Sequence, residues 1–145
     1  MDRPLFTIGY EGRTLQEFLD ALSGAGAELL IDIRAVAASR RPGFSKTALA
    51  GSLREVGIDY VHLRPLGTPK AGRDAARRGR IDEMRRIYED QLATPEAQLA
   101  LQQAEAAALD RRTALLCFER DAGSCHRAIV AERLEAQSGF EVRNL

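Results

Sequence analysis

The chain has 145 residues, of which 45% are hydrophobic and 29% charged, and its formal net charge is zero. These values are typical of one globular domain, residues 1–145, that needs no disulfide or structural metal to stay folded. The sequence also excludes a membrane-spanning protein, since no apolar run approaches the roughly 20 residues that cross a bilayer. Two cysteines and no secretion signal predict free thiols in a reducing compartment, and therefore a cytoplasmic protein.

Strand-like and helix-like segments alternate along the chain without an internal repeat. Short apolar runs predict strands at residues 5–8, 29–33, 58–63, 113–118 and 140–145. Apolar residues at helical spacing predict helices between these runs, which begin at Thr14, Ser45, Ile81, Thr94 and either Ser124 or Cys125. Residues 66–80 hold three glycines and a proline among many charges, and are therefore predicted to form a loop.

Three helix ends carry specific signals. Thr14 and Glu17 have the spacing of a capping box, in which a hydroxyl and a carboxylate satisfy free amides. Pro95 follows Thr94 at a first helical position, where its missing N–H is not needed. Gly139 is placed to end the last helix.

The alternation of strands and helices indicates the fold class. Parallel strands joined by right-handed helical crossovers give an α/β fold, so we expect a Rossmann-like, three-layer domain with a mainly parallel sheet of about five strands. Ligands bind such sheets at the carboxyl ends of the strands. The unusual polar residues of this chain follow its predicted strands and are expected to line one cleft. They are Tyr10, Arg13, Asp32, Arg34, Lys46, Glu119, Cys125, His126 and Arg127.

Basic residues are concentrated in the middle of the chain. Residues 34–80 hold 11 Lys or Arg and three Asp or Glu, a net charge of +8 that the remainder balances. Arginine supplies 19 of the 21 basic residues, and its planar guanidinium matches phosphate oxygens in pairs. The asymmetry favours a small anionic or phosphorylated ligand. The alternative interpretation is that the enrichment in arginine and alanine reflects genome composition.

Cys125, His126 and Arg127 stand at the predicted start of the last helix. Free amides, a positive helix end and the charge of Arg127 favour a thiolate, so Cys125 is predicted to be more acidic and reactive than Cys117. A nucleophilic thiol, an anion-binding helix start and a packed structural residue are the three interpretations. Cys117 lies in an apolar run and is predicted to be an inert core residue. Without a CxxC pair or an HExxH motif, no metal site is predicted.

Two carboxylates complete the candidate catalytic group with Cys125 and His126. Asp32 ends the second predicted strand, where it either orients an arginine by a bidentate pair or acts as a general base. Glu119 follows the fourth strand and neighbours Asp32 if those two strands are adjacent.

A further set of residues is predicted to bind the ligand. They are Tyr10, Arg13, Arg34, Arg40, Phe44, Lys46, His62 and Arg127. Phe44, between basic residues, either stacks on a base or sugar or fills the core. His62 is more typical of a hydrogen-bonded structural histidine than of a ligand or base.

Several short stretches occur in a fixed order along nearly the whole chain. They are TIGYEGRT at 7–14, LIDIR at 30–34, SR at 39–40 with GFSK at 43–46, YVHL at 60–63 with LG at 66–67, and LLCFE at 115–119 with CHR at 125–127. The ordered set resembles a bacterial and archaeal family described only as domain of unknown function DUF488. Ala37 stands where that family usually has a proline. The resemblance implies an α/β fold with these motifs clustered, and no established reaction.

Three functions are consistent with the sequence. The first is an enzyme whose arginines hold a phosphorylated small molecule or a nucleotide. The second is a nucleic-acid-binding or nucleic-acid-processing module that uses residues 34–80. The third is a thiol-dependent transferase centred on Cys125, because Asp32, Arg34 and a late cysteine resemble rhodanese-like sulfurtransferases. The sequence does not identify a cofactor or an oligomeric state, and it predicts no membrane partner.

Overall fold

The computed structural model describes residues 3–145, apart from the side chain of Ser124. Its five strands are β1 Pro4–Gly9, β2 Leu29–Asp32, β3 Asp59–His62, β4 Thr113–Cys117 and β5 Glu141–Asn144. They pair in the order β3-β2-β4-β1-β5, and every pairing is parallel. The helices are α1 Leu15–Gly24, α2 Lys46–Glu55, α3 Lys70–Arg77, α4 Ile81–Leu92, α5 Pro95–Asp110 and α6 His126–Ser138. The predicted three-layer α/β fold with a parallel sheet of about five strands is therefore confirmed.

Both faces of the sheet are covered by helices, because successive residues of a strand point to opposite faces. Leu5 of β1 packs in the core on the side of α4, α5 and α6, where Tyr88 and Leu134 are also buried. Phe6, its neighbour in the sequence, packs in the core on the other side, with Phe18 of α1. The near-continuous apolar runs of β1, β2 and β4 follow from this double coverage.

The local signals at the helix ends are largely confirmed. Thr14 and Glu17 form the complete capping box, and the Thr94 hydroxyl accepts from the amide of Ala97. Gly139 ends α6 in the left-handed conformation, with φ of 71°. Ser45 precedes α2 without capping it by a side-chain bond, because its hydroxyl is bonded to the backbone of Ser39 instead.

The predicted loop at residues 66–80 is wrong, since α3 occupies Lys70–Arg77 within it. Gly72, which suggested a loop, is a packing residue there: a Cβ at this position would be 2.5 Å from Cγ2 of Thr68 and 3.3 Å from Ile87. Ala75 is buried on the same helix, and α3 packs against α4. Contact with α4 therefore stabilises a helix despite the glycine.

Within residues 3–145, no helix is both long enough and apolar enough to cross a membrane.

Candidate functional site

A cleft of about 210 Å³ lies at the carboxyl ends of β1, β2 and β4. Five of the residues predicted for one cleft line it: Tyr10, Arg34, Glu119, Cys125 and His126. Four others predicted for it, Arg13, Asp32, Lys46 and Arg127, lie outside its lining. The parallel sheet brings these segments together because strands that run in the same direction have their carboxyl ends on one edge.

Asp32 and Arg34 form the rigid part of this edge. The Asp32 carboxylate accepts from Nε and Nη2 of Arg34 at 2.9 and 2.7 Å, and from the hydroxyl of Tyr60 at 2.5 Å. Burial alone would lower the pKa of Arg34, but the hydrogen bonds and the charge of Asp32 outweigh it and raise that pKa. Of the two predicted roles of Asp32, the orientation of an arginine is the one that these bonds support.

The remaining donors of Arg34 bind the protein itself. Its Nη1 atom donates to the carbonyl of Phe44 at 2.8 Å and to the hydroxyl of Tyr10 at 3.3 Å. Phe44 is 1% exposed and stacks on Tyr10, with ring centroids 4.5 Å apart. Nε2 of His62 is 2.7 Å from the carbonyl of Arg34. The core-filling interpretation of Phe44 and the structural interpretation of His62 therefore agree with their contacts.

The two cysteine sulfurs meet at the floor of the cleft. Cys117 ends β4 and Cys125 is the N-cap of α6, so the two residues face each other across the loop 118–124. The structure joins them as a disulfide, with Cα atoms 7.2 Å apart, which differs from the expected free thiols. Cys117 is buried as predicted, but it lines the cleft and is bonded to the candidate nucleophile.

His126 is fixed by a backbone carbonyl. Its Nε2 atom is 2.7 Å from the carbonyl oxygen of Ile33, and its Nδ1 atom is 3.6 Å from Sγ of Cys125. A carbonyl only accepts, so Nε2 carries the proton and Nδ1 presents its lone pair to the sulfur. Burial lowers the pKa of His126 to about 4, and the bond to Ile33 only partly offsets this. The imidazole is therefore neutral at neutral pH.

Arg127 is fully buried and contacts Cys117 rather than the neighbouring Cys125. Its Nη1 atom is 3.1 Å from Sγ of Cys117 and also donates to the carbonyl of Glu119, while Nη2 donates to the carbonyl of Arg120. Burial lowers the pKa of Arg127 to about 10, so it keeps its charge at neutral pH. The expectation that Arg127 acts on Cys125 is corrected, because the first turn of α6 directs it back toward the end of β4.

Glu119 lies beside the same sulfur. Its Oε2 atom is 3.5 Å from Sγ of Cys117, and burial raises the pKa of its carboxyl group. The strands β2 and β4 are adjacent, so Asp32 and Glu119 lie at the ends of neighbouring strands, which is the condition under which the two were expected to be neighbours.

The other predicted ligand residues lie away from the cleft lining. Arg40 and Lys46 are exposed, and Arg13 is half-buried. Burial lowers the pKa of Arg13, and the charge of Arg120 adds to this effect. Arg41, which the sequence did not single out, donates to the carbonyls of Tyr10 and Arg13 and lies over the ring of Phe44. It thereby holds the loops after β1 and β2 together.

Sequence reasoning missed the wall of the cleft that α3 and α4 provide. Thr68, Arg73, Arg77 and Met84 line this wall. Arg73 donates to the carbonyl of Thr68 at 2.8 Å, and Arg77 forms an exposed ion pair with Asp74. The signal in the sequence is the spacing of Arg73 and Arg77, four residues apart among alanines, which places both side chains on one helical face.

Comparisons with known proteins identify the family. A model of the family described as "Domain of unknown function DUF488" matches residues 14–134. No curated protein and no solved structure matches the chain significantly. The matched range includes Asp32, Arg34 and the whole segment from Cys117 to Arg127, which form the cleft and its support. Because the match spans most of the 145 residues, the chain belongs to the DUF488 family.

Proposed function

We propose that the cleft binds a small anionic, phosphate-bearing molecule between α3 and the start of α6. The observation that carries this proposal is that Arg73 and Arg77 line the same cleft as Cys125 and His126. Two guanidinium groups on one helical face match the oxygens of a phosphate, and each charge-assisted bond contributes about 1.5–3 kcal/mol.

The start of α6 supports the same proposal. Cys125 is its N-cap and makes no side-chain cap bond, so the Cys125 side chain does not occupy the amides at the start of the helix. Amides at the start of a helix, together with the positive end of its dipole, favour an anion. In this arrangement Arg34 and Arg127 act by holding the walls of the cleft. Nε and Nη1 of Arg34 are bonded to Asp32 and Phe44, and Nη2 of Arg127 is bonded to the backbone after β4.

The dimensions of the cleft favour a small molecule over a nucleic acid. A volume of about 210 Å³ is below the roughly 300–1,000 Å³ of drug-sized ligand pockets, so a compact ligand fits it best. An extended polynucleotide would instead need a continuous basic groove. The small phosphorylated ligand is therefore our first candidate, and the nucleic acid is an outcome that the experiment distinguishes.

The proposal is tested by isothermal titration calorimetry of the full chain with inorganic phosphate and with adenosine monophosphate, at low and at moderate salt. Arg73→Ala and Arg77→Ala should each weaken binding by about tenfold or more, and lysine should restore only part of it. Arg78→Ala is the matched control, since Arg78 is an exposed arginine that follows α3 and is not part of the cleft lining.

Salt dependence separates the two kinds of ligand. A small phosphate should show a shallow decrease of affinity with salt, whereas a single-stranded oligonucleotide that releases many counterions shows a steep one. Absence of phosphate and nucleotide binding at low salt, or an equal loss in Arg78→Ala, would overturn the proposal. Tight oligonucleotide binding whose affinity decreases steeply with salt would instead identify a nucleic acid as the ligand.

A second candidate function is thiol-dependent transfer at Cys125. It is favoured by one observation, the lone pair of His126 Nδ1 that faces Sγ of Cys125 at 3.6 Å. The contact of Arg127 with Cys117 instead favours Cys117 as the nucleophile, because a cation at 3.1 Å stabilises the Cys117 thiolate.

The nucleophile is identified in the reduced chain by measuring the rate of alkylation as a function of pH. The two variants compared, Cys117→Ser and Cys125→Ser, each retain one cysteine. The candidate requires that Cys125 reacts faster and with the lower pH midpoint, and equal rates and midpoints contradict it.

A further inference from the structure

Three buried metal-ligand donors lie together at the floor of the cleft. They belong to Cys117, Cys125 and His126, and their ligand atoms are all within 4.8 Å of one another. The spacing of these residues in the sequence predicted no metal site, because the donors come together only when the end of β4 meets the start of α6. Two sulfurs and one imidazole nitrogen form a donor set that suits Zn²⁺, and a catalytic zinc site typically has three protein ligands and one open position.

The orientation of His126 is the one that a metal-bound histidine requires. Its Nε2–H group donates to the carbonyl of Ile33 at 2.7 Å, so the lone pair of Nδ1 is directed toward the sulfurs. Imidazoles that bind metals almost always donate their other N–H to a carbonyl, a carboxylate or water, and this bond fixes the tautomer. The bond to Ile33 therefore prepares Nδ1 as a ligand.

The spacing of the donors also agrees with a tetrahedral ion. Zn–S and Zn–N bonds of about 2.3 and 2.05 Å at a tetrahedral angle place the sulfur and the nitrogen about 3.5 Å apart. Nδ1 of His126 is 3.6 Å from Sγ of Cys125. The two sulfurs would stand about 3.8 Å apart around the same ion, and cysteine Cα atoms 7.2 Å apart leave room for this separation once the disulfide is reduced.

We propose that the reduced chain binds one Zn²⁺ ion through Sγ of Cys117, Sγ of Cys125 and Nδ1 of His126, with the fourth position open to the cleft. A thiol or phosphine reductant supplies the two electrons that break the disulfide, and two protons complete the thiols. Zinc then displaces both protons, so two thiolates balance the charge of the ion. Arg127 donates to Cys117 at 3.1 Å and stabilises its thiolate. This inference does not depend on the anionic ligand of the proposed function.

The first test is titration of the full chain, reduced by a phosphine, with Zn²⁺ against a chromophoric chelator. One zinc per chain should bind, and the chain oxidised to the disulfide should bind none at this site. Co²⁺ in place of Zn²⁺ should give sulfur-to-metal charge-transfer absorption in the near ultraviolet, a signature that needs no variant. No binding by the reduced chain, or cobalt binding without that absorption, would overturn the proposal.

The second test identifies the ligands. Cys117→Ser, Cys125→Ser and His126→Gln should each weaken zinc binding by at least about tenfold, with circular dichroism to confirm that each variant is folded. His62→Gln is the matched control, because His62 is the other histidine of the chain and is bonded to the carbonyl of Arg34. Equal affinity of His126→Gln and His62→Gln would remove the imidazole from the site and overturn the proposed ligand set.

Discussion

The Asp32 carboxylate and the Arg34 guanidinium form a buried ion pair, with Oδ2 and Nη2 2.7 Å apart and side-chain exposures of 0% and 6%. The pair lies where β2 ends, and the chain continues from it into the loop before α2, which holds Arg40 and Arg41. Tyr60 of the neighbouring β3 donates to the same carboxylate, and Tyr10 after β1 accepts from the same guanidinium. One ion pair thus connects the end of β2 to β3 and to the residue that follows β1.

Removing the carboxylate charge should therefore be costly. Asp32→Asn leaves the buried Arg34 cation unpaired, which should lower the free energy of unfolding by about 3–5 kcal/mol. Asp59→Asn is the control, since Asp59 is 69% exposed in its pair with Arg111 and should cost under about 1 kcal/mol. Urea denaturation of both variants measures the difference, and similar losses would contradict a structural role of the buried pair.

The stability of the metal-free chain should fall in mild acid because of His126. Its pKa is lowered from 6.5 to about 4, so between these pH values the unfolded chain binds a proton that the folded chain does not. At neutral pH neither state binds it, and there is no penalty. From pH 7.5 to pH 5 the loss should be about 2 kcal/mol.

Urea denaturation in the presence of a chelator at both pH values, for the wild type and His126→Gln, isolates this effect. Glutamine retains a donor for Ile33 but does not titrate. The wild type should lose more stability than the variant on acidification. An identical pH dependence of the two proteins would show that His126 is not the group responsible.

Gly9 should tolerate no side chain, although it ends a regular strand. A Cβ there would overlap the carbonyl of Glu119, which also accepts from Arg127. Gly9→Ala should lower the free energy of unfolding by about 1–3 kcal/mol. Gly51→Ala, inside α2 with nothing within 4 Å of the added carbon, should raise it by about 0.5–1 kcal/mol. Thermal unfolding compares them, and a shift of the same sign in both would contradict the prediction.

Phe44 should act on stability rather than on ligand binding. It is 1% exposed between Tyr10 and Phe18, and Phe44→Ala should cost about 3–5 kcal/mol. Phe118 also contacts Tyr10 but is 42% exposed, so Phe118→Ala should cost clearly less. Chemical denaturation ranks the two variants. A stable Phe44→Ala protein that has lost phosphate binding would instead assign Phe44 to the ligand.

The elements of the fold could be predicted well from the sequence because their signals are local. Apolar runs located the five strands, and the capping box at Thr14 and the glycine at 139 marked helix ends correctly. The exception was α3, where Gly72 suggested a loop. A Cβ at Gly72 would lie 3.3 Å from Ile87 of α4, so close packing against another helix, which the local pattern does not show, accounts for a glycine inside α3.

The sequence by itself determined which residues follow the strands, and hence that Tyr10, Arg34, Glu119 and Cys125 share one edge of the sheet. Only the tertiary structure decided what each of them contacts. It placed Arg127 on Cys117 rather than on Cys125, joined the two cysteines, and brought Arg73 to the opposite wall. The ends of the strands follow from the pattern of apolar residues, which can be read along the chain. Side-chain partners depend instead on strand order and helix packing, which bring together groups far apart in the sequence.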